Sequence, residues 1–86
     1  MPEISRFYGI IIRMYFVDHN PPHFHAEYQG MQAEFEIKTL EVIAGSLPNR
    51  ALGLVVEWAN LHRKELLENW NRAQVPEPLE KIQPLK

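Results

Sequence analysis

His23-Phe24-His25-Ala26-Glu27-Tyr28-Gln29-Gly30-Met31-Gln32-Ala33-Glu34-Phe35-Glu36-Ile37 is the stretch that decides the fold. Phe24, Ala26 and Tyr28 alternate with His23, His25 and Glu27, and Met31, Ala33, Phe35 and Ile37 alternate with Gln32, Glu34 and Glu36. Alternation at a period of two sends each set to one face of a strand. Between the runs, Gln29-Gly30 reads as a two-residue hairpin turn, with glycine supplying positive φ. That loop length fixes the register: Tyr28 faces Met31, Ala26 faces Ala33 and Phe24 faces Phe35. On the other face, His25 meets Glu34 and His23 meets Glu36. The apolar set stays together, so the pairing is self-consistent.

Toward the N-terminus, Ile10, Ile12, Met14 and Phe16 alternate with Ile11, Arg13, Tyr15 and Val17. Tyr8-Gly9 marks a turn from a short first strand, Glu3 to Phe7. Toward the C-terminus, Leu40 to Ile43 reads as a further short strand. From there the period changes. Ser46 is the expected N-cap, Pro48 suits the first helical turn, and Val75-Pro76 ends the run. At about 100° per residue, Leu52, Val55, Val56, Ala59, Leu66, Leu67 and Trp70 share one apolar face. Arg63 falls inside that face and His62 at its border beside Trp58, while Leu54 and Leu61 fall on the far side. The expected architecture is a single α+β domain over residues 1–86. An antiparallel, hairpin-rich sheet of four to five strands (about 3–43) packs on one long C-terminal helix (about 48–73), followed by an extended Pro-rich tail (76–86).

Composition narrows the function. The chain has 86 residues, 45% hydrophobic and 23% charged, so it is long enough for one small core. It holds no cysteine, which removes disulfides, thiolate metal sites and thiol catalysis. No run approaches the roughly 20 apolar residues of a membrane span, and the N-terminus lacks a signal peptide's pattern. A cytoplasmic location is the expectation. Formal net charge is −2, with no basic run. Nucleic-acid binders draw most non-specific affinity from a basic footprint, so nucleic acid is a weak partner here.

Chemistry concentrates in Asp18-His19-Asn20-Pro21-Pro22-His23-Phe24-His25, which carries three of the four histidines. Imidazole titrates nearest neutrality and is a common metal ligand. One reading is a metal site: His19, His23 and His25, with Glu34 or Glu36 supplying oxygen, suit zinc or another divalent transition ion. A second is metal-free acid–base chemistry. There His23 or His25 shuttles a proton and Arg13 holds a phosphate, as in a phosphodiesterase or ribonuclease. A plainer reading makes the His–Glu pairs ordinary neighbours on a solvated sheet face, each worth a few tenths of a kcal/mol. In all three, the histidines leave the sheet on the face opposite the helix. Leu54 and Leu61 are candidate partner or homodimer contacts, and His62, on the helix, stands apart from the cluster.

Arg6-Phe7-Tyr8-Gly9-Ile10, the stretch from Asp18 to Ala26 and the helix around Glu57-Trp58-Ala59 resemble the bacterial family called Domain of unknown function (DUF) 4160. His19, Pro21, Pro22, His23 and His25 match its most specific element position by position. The resemblance implies a small α+β bacterial protein with no established activity. It further implies a second small protein as partner, in a toxin–antitoxin-like pair. The leading expectation is therefore an interaction protein that uses the His-rich sheet face. The rivals are a metal-dependent or histidine-based phosphodiesterase and a homodimeric scaffold.

Overall fold

The computed structural model describes residues 2–86. Five strands, β1 (Glu3–Phe7), β2 (Ile10–Arg13), β3 (His23–Tyr28), β4 (Met31–Glu36) and β5 (Val42–Gly45), form one antiparallel sheet in sequence order. Two helices follow, α1 (Asn49–Leu61) and α2 (Arg63–Gln74). Both tight hairpins turn through two residues at positive φ, Tyr8-Gly9 and Gln29-Gly30. That backbone matches the twist of the strands it joins. The β3–β4 register is the one the alternation predicts, Tyr28 opposite Met31 through His23 opposite Glu36.

Alternation also delivers the core. Ile4, Phe7, Ile10, Ile12, Met14, Phe24, Ala26, Ala33 and Phe35 are buried, and Ala51, Val55, Trp58 and Ala59 of α1 are buried with them. Phe24 stacks on Phe35 with centroids 5.3 Å apart, and the Trp58 ring lies 5.9 Å from Phe24 and 5.3 Å from Phe7. Large rings at such separations contribute beyond their buried area.

Three expectations need correction. The fifth strand starts at Val42, not Leu40, because Leu40 adopts φ 62° and donates its N–H to Glu36 O, closing a turn that buries its side chain. Ser46 does not cap the helix: its N–H pairs with Gln32 O beyond the end of β5, the helix starts three residues later at Asn49, and Pro48 occupies the N-cap with no side-chain hydrogen bond.

The third correction matters most, since the helix is two helices. His62 (φ −127°, ψ 25°) leaves the helical region, its ring lies 5.6 Å from Trp58, and its Nδ1 sits 2.6 Å from Glu65 Oε1. The break resets the helical phase. Leu66, Asn69, Trp70 and Ala73 become the buried positions of α2, while Arg63 and Leu67 turn outward. Leu54, expected on the far side, is half-buried against the core because α1 buries a wider arc than one sheet face would cover. Leu61 is exposed.

Residues 76–86 form neither helix nor strand. Asn69 holds them in place: its Nδ2 donates to Glu80 O and its Oδ1 accepts from Glu80 N, both at 2.9 Å. Ile82 N donates to Ile4 O, Trp58 Nε1 donates to Gln83 O, and the Ile82 side chain is buried. No helix among the described residues is long and apolar enough to cross a membrane.

Candidate metal centre

The β2–β3 loop and the first half of β3 build the site. Val17 takes φ 50°, a conformation that β-branched residues rarely adopt, and its N–H donates to Ala73 O of α2. This anchored distortion sets the direction of Asp18, the next residue. The Asn20–Pro21 peptide is cis, and the chain then enters β3 at His23. His23 and His25, two apart on one strand, project the same way with ring centroids 5.1 Å apart.

Asp18 Oδ2 lies 3.1 Å from His23 Nε2 and 3.4 Å from His25 Nε2. Glu34 Oε1, from β4, is 3.5 Å from His23 Nε2. On its other side, His23 Nδ1 is 2.7 Å from Pro21 O. A carbonyl oxygen only accepts, so Nδ1 carries the proton, and in a neutral ring Nε2 presents a lone pair. That nitrogen is buried, and its contact with Asp18 lacks hydrogen-bond geometry. A lone pair facing carboxylate oxygens is unfavourable unless a positive charge lies between them. The Tyr15 ring stands edge-on to His25 at 4.3 Å and helps fix its orientation.

The Asp18 carboxyl sits below its ordinary value. Burial pushes it up, but hydrogen bonds from the backbone N–H of His19 and from the His25 ring favour the charged form, and the carboxyl ends below its usual range. Asp18 therefore stays ionised at neutral pH and presents anionic oxygen to the two imidazoles.

Among the described residues, two groups of potential ligand atoms each lie mutually within 4.8 Å: Asp18, His23 and His25, and, sharing His23, His19, His23 and Glu34. A family model described as Domain of unknown function (DUF4160) matches residues 9–71, a span that includes every one of these side chains. The chain belongs to the DUF4160 family. Comparison with curated proteins and with solved structures finds no match.

Within this DUF4160 chain the expected residues fare differently. His23 and His25 converge, but not on a bare, solvated face. His23 is fully buried with its ring 5.3 Å from Trp70, and His25 retains 9% exposure. The break at His62 is the reason, because it redirects α2 so that Trp70 meets the histidine side of β3. His19 is well exposed, with its Nδ1 2.9 Å from Asp18 Oδ1. Glu34 joins the cluster. Glu36, though opposite His23 in register, makes no side-chain hydrogen bond or ion pair with a histidine among the described residues. Arg13 is ion-paired with Glu27 through its Nε, so a carboxylate already occupies the guanidinium that was expected to hold phosphate. His62 sits at the break between α1 and α2, paired with Glu65. The residue that sequence reasoning missed is Asp18. Its only signal was adjacency to the histidine motif, and its aim depends on the Val17 distortion.

Proposed function

We propose that this DUF4160 protein binds a divalent transition-metal ion through Asp18 Oδ2, His23 Nε2 and His25 Nε2; His19 and Glu34 form a second group that meets the first only at His23. The observation that carries the reading is the buried, unpartnered Nε2 of His23 aimed at two carboxylates. The Asp18 Oδ2 separations of 3.1 Å from His23 Nε2 and 3.4 Å from His25 Nε2 agree with the about 3.3 Å expected between neighbouring ligands of a tetrahedral ion with roughly 2.0–2.1 Å bonds. The Pro21 carbonyl on Nδ1 is the kind of outer partner that fixes a ligating histidine's tautomer. The mixed nitrogen and oxygen donors suit zinc or a neighbouring first-row ion.

Burial of His23 and engagement of its Nδ1 weaken the metal-free acid–base alternative, because a shuttle must exchange protons with solvent or substrate. A metal-dependent phosphodiesterase is the enzymatic form of the proposal. It is supported by the exposure of His19 and the partial exposure of Glu34, which leave one side of the cluster accessible to water. A partner-binding role in a toxin–antitoxin-like pair, or as a homodimer through Leu61, draws support from the 66% exposure of that leucine.

The test uses untagged protein, stripped with chelator and titrated with zinc, cobalt and manganese. Calorimetry should give close to one ion per chain for at least one metal, with a raised melting temperature. Asp18→Asn and His25→Ala should each weaken binding by about 10-fold or more. Wild-type affinity in both variants, or no metal-dependent rise in melting temperature, would overturn the proposal.

A further inference from the structure

Apart from the candidate metal cluster, a cleft of about 750 Å³ lies beside the Pro21-Pro22 corner. Its floor is carbon, contributed by Pro21, Pro22, Ile37 and Leu67. Lys38, Arg63 and Lys64 rim it, and Glu36 is the one acidic residue in the lining. Three of the chain's nine cationic residues thus meet one of its eleven acidic ones, in a protein of formal charge −2. The cleft is cationic against an acidic background.

Its geometry is preset. Pro21 O accepts from His23 Nδ1 and Pro22 O accepts from Ile37 N, which ties the proline wall to the sheet. Arg63 is held at the rim by hydrogen bonds to Lys38 O at 2.6 Å and Asn60 Oδ1 at 3.2 Å. The helix break at His62 makes Arg63 and Lys64 the first two residues of α2, and no side-chain hydrogen bond caps that start. First-turn N–H groups add to the positive potential there. A rigid apolar floor with fixed cations costs little ordering entropy when it is filled.

We infer that this cleft docks an acidic, aliphatic peptide segment of a partner protein. One or two aliphatic side chains would lie on the proline–leucine floor, with flanking carboxylates on Lys38, Arg63 and Lys64. A nucleic-acid strand fits less well. Single-strand grooves gain affinity by stacking bases on aromatic rings, and no aromatic residue lines this cleft. The inference does not depend on metal occupancy.

Fluorescence anisotropy tests it with a short labelled peptide alternating glutamate and leucine. Its lysine–leucine and glutamate–serine counterparts and a single-stranded oligothymidylate serve as comparison probes. The glutamate–leucine peptide should bind saturably and the other three much more weakly. Lys38→Glu with Lys64→Glu should reduce that binding by about tenfold or more, as expected for reversed charge at a complementary interface. Both lysines are exposed, so the double variant should keep the wild-type melting temperature, and Leu67→Ser gives an independent, charge-neutral loss. Absence of saturable binding, or equal binding by the variants, overturns the inference. So does tighter binding of oligothymidylate with the same dependence on the lysines. Light scattering showing a dimer that the charge reversals dissociate would also overturn it, by assigning the cleft to a second copy.

Discussion

Replacing Asn69 with alanine tests how the C-terminal segment contributes to the fold. Asn69 is fully buried, and its amide exchanges two 2.9 Å hydrogen bonds with the backbone of Glu80, mimicking a strand pairing. Each bond contributes about 0.5–1.5 kcal/mol net, so losing both costs roughly 1–3 kcal/mol. If the segment then lifts away, Ile82 also leaves its buried site. Full exposure of such a side chain costs about 1.5–3 kcal/mol, partly offset by the entropy regained. The expected loss is about 2–4 kcal/mol, a large share of the roughly 5–15 kcal/mol typical of a domain. Urea unfolding followed by tryptophan fluorescence measures it, and amide exchange at Glu80 and Ile82 shows where it acts. A chain truncated after Val75 supplies the second arm of a cycle. If Asn69 works through the tail, Asn69→Ala should cost much less in the truncated background. Equal costs in both backgrounds, or unchanged protection of the Ile82 amide, would refute the reasoning.

Other consequences can be measured on the same footing. Val17→Gly should raise stability by about 0.5–2 kcal/mol in thermal unfolding. It relieves a left-handed β-branched residue that is 65% exposed, against glycine's own entropy cost. Gly45→Ala should destabilise by about 2 kcal/mol or more, since its φ is +72° and a Cβ there would lie 2.2 Å from Gln32 O. Glu3 should titrate below an ordinary glutamate in NMR. Its hydrogen bond to Arg6 is the main cause, and burial opposes the shift only in part. Because the folded value is depressed, this contribution is present above the unfolded value and is lost as pH falls through the folded one. Glu3→Gln should therefore slightly flatten the acid limb of stability.

The hairpin was legible because its two signals agree: strict alternation and a glycine at the one position where a tight turn needs it. The same agreement made the Phe24 and Phe35 core legible and the pairing of His25 with Glu34 predictable. The helix break was not legible, because His62 is neither glycine nor proline and its departure is held by contacts with Trp58 and Glu65. From that omission followed the misplaced Arg63 and the histidines expected in solvent. Leu40 hid the true start of β5, since an aliphatic residue at positive φ looks like a strand residue in one dimension. Asp18 escaped notice for a related reason: its aim is set by backbone torsion at Val17 and by an anchor on α2, neither of which has a side-chain signature.

The elbow at His62 also settles a problem of length. An unbroken helix from Asn49 to Gln74 would measure roughly 39 Å at 1.5 Å per residue, longer than the 34 Å greatest extent of the whole molecule. A straight rod would overhang a sheet this small and leave its last turns wet. Bent, the same residues become two short walls of an enclosure, and an imidazole that would have faced water acquires a roof.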